Sequence, residues 1–378
     1  MIRTIFPAVC TLLIIAGCNS KTPTLNTDPD TELAPPIVDD GTVQPLPTVS
    51  DDQASVDAIM KITDKVRRDS DGLIIEVDFR ETDVTNQDLT ALIELPRLRS
   101  VLLLGTSISG EALETLGQIK SMENLDLRDT AVDDDSLQHL VGLPRIKALR
   151  LSGKSGECSV SDDGMVHVAK LPTLKVLALD FLWVSEEGLE ALSDLKDLEE
   201  LYLAETTIGN EAIAVLAQHP KLKKLRLARN QIDGMGLADL PKLKNLEELD
   251  LSECSQLLDD AMNPLGQLAK MKKLNLWRVN LTDEGIEPLK SLTQMEWLNL
   301  DNTQLTDAGL PFLKDMSELV FLHLGSTQIT DAGLPTLEPL KSLKDLKVTR
   351  TAVTQEGVDE LKKALPDTEI QLRYLESE

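Results

Sequence analysis

The sequence predicts an α/β solenoid, a curved horseshoe of about twelve strand–turn–helix units with parallel strands on the concave face and short helices on the convex face. Three observations predict it. An apolar frame, L-x-x-L-x-L-x-x-T-x-I-T-D-x-G-L-x-x-L-x-x-L, recurs with its second apolar position at Val77, Val101, Leu125, Leu149, Leu177, Leu201, Leu225, Leu249, Leu274, Leu298, Leu322 and Leu346. The step is 24 residues except for 28 between Leu149 and Leu177 and 25 between Leu249 and Leu274. Hydrophobic residues make up 42% of the chain but aromatics only 3%, so the core is aliphatic, as stacked repeats require.

Each part of the unit follows from its spacing. The central L-x-L alternates with period two, which makes a short strand whose Leu side chains point to one face and whose x residues point to the other. The later G-L-x-x-L-x-x-L has helical spacing, and the Thr-Asp or Ser-Glu before it supplies a cap. The acidic column Asp162, Glu186, Asp283, Asp307 and Asp331 is read as N-terminal capping, a carboxylate facing the free N–H groups and the positive end of the helix dipole. One unit cannot bury its Leu face alone, so it is stable only against its neighbours. With about 1.5–3 kcal/mol for each fully buried Leu, stacking has ample driving force.

In chain order, residues 1–17 read as an export signal: Arg3, an apolar stretch from Ile5 to Ile15, then Ala16 and Gly17. The stretch is too short for a permanent membrane span. Residues 18–50 hold six prolines between Asn19 and Ser50 and no apolar periodicity, the composition of an extended tether. Residues 51–71 place Val56, Ile59, Met60 and Val66 on one helical face, with Ser50 or Asp51 as N-cap, and are expected to form a helix that covers the open end of the array. The repeats occupy 72–365, and 366–378 is a capping strand, carrying Ile370 and Leu372, with a short tail.

Two resemblances rest on these residues. Ile15-Ala16-Gly17-Cys18 resembles the processing box of bacterial lipoproteins, which implies cleavage before Cys18, lipidation of that Cys, and a chain exported and anchored in the cell envelope. Asn19, in place of Asp, implies the outer rather than the inner membrane; an ordinary signal peptide with a chance Cys is the plainer alternative. The repeat frame resembles the leucine-rich-repeat family, and its 24-residue form is similar to the internalin and ribonuclease-inhibitor types, over about four fifths of the chain. That resemblance implies a protein-recognition scaffold. The family's usual Asn at the ladder position after the strand is here mostly Thr (Thr82, Thr106, Thr130, Thr206, Thr303, Thr327, Thr351), with Asn230 the exception, and a Thr hydroxyl is expected to bond a neighbouring carbonyl in its place.

Several functions are disfavoured. With 64 Asp and Glu against 38 Lys and Arg, a net charge of −26 and a pI near 4.5, nucleic acid is not an expected partner. The acidity fits solubility better than an acidic docking surface. His139, His167, His219 and His323 fall in separate units without a nucleophile motif, and no phosphate loop or dinucleotide fingerprint occurs, so no enzyme, cofactor or metal is expected. The run Asp133-Asp134-Asp135 is the least unlikely place for calcium, with capping again the plainer reading. Cys158 and Cys254 both align with the Thr ladder position; four strands apart, about 19 Å at about 4.8 Å per strand, they should remain unpaired.

The informative surface is the set of x residues on the strands. Most are small or charged, including Lys224 and Arg226, which are expected to matter little. Several of the chain's few aromatics nevertheless fall there: Tyr202, with Phe181 just past its strand, then Trp277, Trp297 and Phe321, beside Asn275, Asn299, Asp301 and His323. Trp297 and Phe321 share a column on adjacent strands, and Trp277 should flank Asp301. Aromatics outside the Leu core signal binding, the bland alternative being rings that only pack on one another. The candidate ligand site is therefore Trp277, Trp297, Asn299, Asp301, Phe321, His323, Tyr202 and Phe181. Two functions fit: a non-enzymatic protein-binding or scaffolding envelope lipoprotein, or a glycan-binding one in which Trp277 and Trp297 stack on sugar rings while Asn299 and Asp301 meet hydroxyls.

Overall fold

A computed structural model describes residues 49–373. The signal segment, the lipidation position Cys18, almost all of the linker 18–50 and the tail beyond 373 lie outside the described residues. The strands are β1 (Val66–Arg68), β2 (Ile74–Asp78), β3 (Ser100–Leu102), β4 (Asn124–Asp126), β5 (Ala148–Ser152), β6 (Val176–Asp180), β7 (Glu200–Tyr202), β8 (Lys224–Arg226), β9 (Glu248–Asp250), β10 (Lys273–Asn275), β11 (Trp297–Asn299), β12 (Phe321–His323), β13 (Asp345–Lys347) and β14 (Glu369–Gln371). They form one open sheet in strict sequence order. From β2 onward every pairing is parallel, in the register the frame sets: Val77 faces Val101, Leu298 faces Leu322, and Leu346 faces Ile370. The fold is a leucine-rich-repeat solenoid.

The frame's Leu positions are closed off from solvent; Leu125, Leu149, Leu274 and Leu298 are each 0% exposed. The convex elements are short. Some are α-helical, such as Asp162–Val168 and Ala212–Leu216, and others are 3₁₀, such as Leu310–Leu313 and Leu334–Leu337. Apolar residues at i, i+3 and i+6 align best at three residues per turn, and Pro311 and Pro335 each remove a donor from the first turn. After each strand the chain turns through a residue four past the buried Leu, which has positive φ in most units, as at Glu205 (52°) and Phe181 (63°).

At the N-terminal end the structure differs from a helix over 51–71. A helix spans only Gln53–Met60, capped by Asp52, whose carboxylate accepts from the Ser55 N–H at 2.8 Å. It buries Val56 and Ile59 and leaves Met60 42% exposed. The chain then becomes β1, antiparallel to β2, with Val66 opposite Val77. A helix cannot satisfy the edge N–H and C=O groups of the first repeat strand, whereas a strand can. Thr63 fixes the switch: its hydroxyl donates to Asp78 O at 2.8 Å and accepts from Lys65 N at 3.1 Å. At the other end, a ten-residue helix, Gln355–Ala364, precedes β14.

The acidic column is not the cap. Before the α-helices of the Ser/Thr-Asp units the preceding hydroxyl caps, as where Ser161 accepts from Asp163 N and Thr282 from Glu284 N, while the 3₁₀ elements after Gly309 and Gly333 have no side-chain cap. Each carboxylate instead bonds to the next unit. Asp283 accepts from the Thr306 N–H at 2.8 Å and the Thr306 hydroxyl at 2.6 Å, and the pattern repeats from Asp307 to Thr330, from Asp331 to Thr354 and from Asp162 to Ser185. Glu186 takes the Gly209 N–H at 2.6 Å. The glycine of T-D-x-G makes room for the carboxylate: a Cβ on Gly309 would lie 2.5 Å from Asp283 Oδ1, and one on Gly333 2.3 Å from Asp307 Oδ1. The Asp133–Asp135 run serves the same ends, Asp133 bonding Ser136 N and Asp134 bonding Ser161.

The Thr hydroxyls do bond a neighbouring carbonyl, but within their own unit rather than along a ladder between units. Thr106, Thr130, Thr303 and Thr327 each donate to the carbonyl three residues back in their own unit, at 2.6–2.8 Å. From this position these Thr hydroxyls turn to their own unit and do not cross to the preceding one. Asn230 does, donating to Leu203 O at 2.7 Å and Leu227 O at 3.0 Å, and so does Cys254, whose Sγ is 3.2 Å from Leu227 O. Cys158 and Cys254 are both free and buried, and burial pushes the Cys254 thiol up to about 11.

Candidate functional site on the concave face

The strand x residues form two columns across the concave sheet, one before and one after each buried Leu. In the first column Trp297 and Phe321 lie on paired positions of β11 and β12, and their rings stack with centroids 4.8 Å apart and planes 5° from parallel. His323 meets the edge of Phe321 at 6.3 Å, and the Lys347 ammonium lies 5.3 Å from the Phe321 ring centre. One face of each ring is thus spent on the other, and Phe321's second face has a cation near it. Trp277 is not part of this group. It follows β10 at a later column, makes no ring contact with Trp297, and has the Arg278 guanidinium 5.4 Å from its ring centre.

A second feature of the concave face is centred further back along the array. A pocket of about 240 Å³ spans β7 to β11, floored by Leu225 and Leu249, with Tyr202 at one end and Trp297 at the other. Between them lie Lys224, Arg226, Glu248, Asp250, Lys273 and Asn275. Lys224 and Arg226 are therefore lining residues, not outlying charges. Opposite charges alternate from strand to strand: Lys224 reaches Glu200 (3.2 Å) and Glu248 (3.7 Å), Lys273 reaches Glu248 (3.2 Å), and Arg226 reaches Asp180 (2.8 Å) and Asp250 (3.3 Å). Burial raises the Asp180 carboxyl above its ordinary value, opposed by the Ala204 N–H and Arg226. The Tyr202 hydroxyl donates to Glu200 at 2.7 Å; burial, then that bond, holds the phenol protonated far above its usual range.

Of the polar residues read from the sequence, Asn299 is partly occupied, its Oδ1 accepting from Asp301 N at 3.0 Å. Asp301 is 7% exposed, and its Oδ1 has no hydrogen-bond partner. His323 Nε2 is likewise buried and unpartnered, and burial lowers its pKa. Phe181, at its positive φ, lies beyond the strand and outside the pocket lining. Trp183, 75% exposed, escaped the sequence reading because it sits past the strand positions on which that reading concentrated. Its signal was rarity alone, as one of three Trp in the chain. Among the described residues no three His, Cys, Asp or Glu side chains are arranged to hold a metal ion.

A family profile described as a leucine rich repeat matches residues 218–240. No curated protein matches the sequence. Among solved structures, an internalin (inlF) from Listeria monocytogenes superposes with a TM-score of 0.57 at 18% identity, covering 79% of this chain and 91% of its own. An internalin C2 (inlC2) from the same organism gives 0.42 at 23% identity, covering 50% and 75%. The plant peptide hormone receptor RGFR1 in complex with RGF2 gives 0.43 at 12% identity, covering 82% and 59%.

Proposed function

We propose that this leucine-rich-repeat solenoid, similar in fold to an internalin, is a non-enzymatic scaffold that binds a protein partner on its concave face. The observation that carries the reading is the pocket between Tyr202 and Trp297, half-buried aromatics at both ends and charged side chains between, spread over five strands. Aromatic anchors bordering fixed charges are what a folded partner's hot spots pair with. The glycan reading wants two neighbouring free ring faces, and it is weakened by the spending of one Trp297 face on Phe321 and the separation of Trp277. Lipidation at Cys18 and an envelope location, outer membrane rather than inner, complete the proposal; they rest on the sequence from Ile15 to Asn19 alone.

A photo-crosslinking residue at Lys224, on the concave face, should capture a discrete protein from envelope extract, whereas one at the exposed convex Glu338 should not. Trp297→Ala should weaken capture about thirtyfold, the equivalent of about 2 kcal/mol. Equal capture from both faces would place recognition elsewhere. Cys18→Ala should abolish detergent-phase partitioning; unchanged partitioning removes the anchor from the proposal.

A further inference from the structure

The strand-centre positions of the twelve units are closed off from solvent with two exceptions. Ten are 0% exposed, whereas Leu225 and Leu249, which floor the pocket between Tyr202 and Trp297, are each 2% exposed. Two rows of charged side chains run beside that floor. In the row one residue before each Leu, Glu200, Lys224, Glu248 and Lys273 stand on paired positions of β7 to β10 and alternate in sign. Lys224 lies 3.2 Å from Glu200 and 3.7 Å from Glu248, and Lys273 lies 3.2 Å from Glu248. In the row one residue after, Arg226 is paired with Asp250 at 3.3 Å and also holds Asp180 at 2.8 Å. Side chains that reach along their own row leave the strand between the rows uncovered, and the result is a trough with an aromatic ring at each end.

Every cation lining the trough already has a carboxylate within 4 Å, so no unmatched charge waits for a counter-charge. A Lys or Arg from a partner would enter beside Lys224, Arg226 and Lys273, and an Asp or Glu beside Glu248 and Asp250. Either would give up its water for a place whose charges are satisfied without it.

We propose that the trough receives one uncharged aromatic side chain of the protein bound on the concave face. The inference rests on the protein-binding reading above. At about 30 Å³ for each water-sized group, the pocket's volume of about 240 Å³ corresponds to about eight non-hydrogen atoms, the size of a Phe or Tyr side chain. A ring suits the space better than an aliphatic chain, because Tyr202 and Trp297 offer ring partners at its two ends and three cations border it, each able to approach a ring face. Both end rings are held before a partner arrives: the Tyr202 hydroxyl donates to Glu200 at 2.7 Å, and Trp297 is stacked on Phe321. Asn275 adds a donor. Its Oδ1 accepts from Trp277 N at 3.2 Å, and its Nδ2 has no acceptor among the described residues, so it can donate to a phenol oxygen or to a carbonyl of the partner's backbone. A sugar is also uncharged, but it would set several hydroxyls against a Leu floor, where they lose the hydrogen bonds water gives them.

The test follows the Trp297 indole N–H signal of the full chain by NMR, assigned by its disappearance in Trp297→Phe. The chain is titrated with N-acetyl-tyrosine amide, with the corresponding leucine, lysine and glutamate amides, and with methyl β-glucoside. The tyrosine probe should shift the signal saturably, with a half-saturating concentration about tenfold or more below that of every other probe. Tyr202→Ala should raise that concentration about tenfold, its denaturation midpoint reporting folding. Glu248→Gln carries the test if Tyr202→Ala fails to fold. It keeps the side chain's shape and takes from Lys273 its paired carboxylate, so the glutamate probe should gain about tenfold relative to the tyrosine probe. No saturable shift with the tyrosine probe, an equal response to any other probe, an undiminished response in folded Tyr202→Ala, or no gain by the glutamate probe in Glu248→Gln would each overturn the assignment. If it is overturned while Trp297→Ala still weakens partner capture, the scaffold reading stands without it; if the tyrosine probe behaves as expected while the concave face captures no protein, the pocket's preference stands and the scaffold reading falls.

Discussion

Replacing Gly333 by Ala tests why the repeats carry glycine after Thr-Asp. Gly333 has φ −79° and ψ −28°, a conformation Ala adopts freely, so on backbone grounds alone the change should stabilise by about 0.4–1 kcal/mol. The surroundings predict the reverse. The new Cβ would lie 2.3 Å from Asp307 Oδ1 and 2.7 Å from Leu310 Cδ1, so the carboxylate must retreat by several tenths of an ångström or more. It is held by the Thr330 N–H at 2.8 Å and the Thr330 hydroxyl at 2.7 Å. Weakening two charge-assisted bonds, at about 1.5–3 kcal/mol each if lost outright, outweighs the entropic gain and leaves a net loss of about 2 kcal/mol. Asp307→Ala should cost about 2–3 kcal/mol by itself. In that background Gly333→Ala meets no carboxylate and should be neutral or slightly stabilising, giving a coupling of about 2 kcal/mol in the double-mutant cycle. Urea unfolding of the four proteins measures this, provided the m-values agree, since a solenoid can lose cooperativity. If Gly333→Ala alone is neutral or stabilising, the glycine is not there to make room and the account of the T-D-x-G motif fails.

Further outcomes follow from the same contacts. Asn230, 4% exposed, donates to two carbonyls in adjacent units, so Asn230→Ala should cost about 2–4 kcal/mol, while Asn230→Thr should recover the contact to Leu227 O within its own unit but not the one to Leu203 O; unfolding midpoints check the order. Glu199, bonded to Lys175 and Lys223, titrates at about 2 against an ordinary 4.5. Because the folded value is depressed, its contribution is complete above about pH 4.5 and is lost as pH falls towards 2, so wild type and Glu199→Gln should converge in stability across that window, the difference at neutral pH shrinking in salt. Cys158 and Cys254 should resist maleimide in the folded protein and react on unfolding, as peptide mapping would reveal; labelling in the native state would contradict their burial.

The sequence by itself determined the architecture. A period of 24 residues with alternation at the strand fixes which side chains meet, because parallel neighbours at one repeat distance have no other register in which every Leu is buried. Hence Trp297 beside Phe321 and Ile370 beside Leu346 were legible before any coordinates. The tertiary structure decided what depends on direction and reach. The Asp column could be placed at helix starts from its position, but whether its oxygens turn to their own helix or to the next unit depends on the space a neighbouring glycine leaves, a contact 23 residues away. Thr and Asn look interchangeable at a ladder position, yet only the longer side chain crosses to the adjacent strand. Residues 62–68 lost their helix to an edge that existed only once the first repeat strand was in place. The candidate site divides the same way: its aromatics were countable, whereas the pocket between Tyr202 and Trp297 arises from side chains of different units leaning together, which no periodicity records.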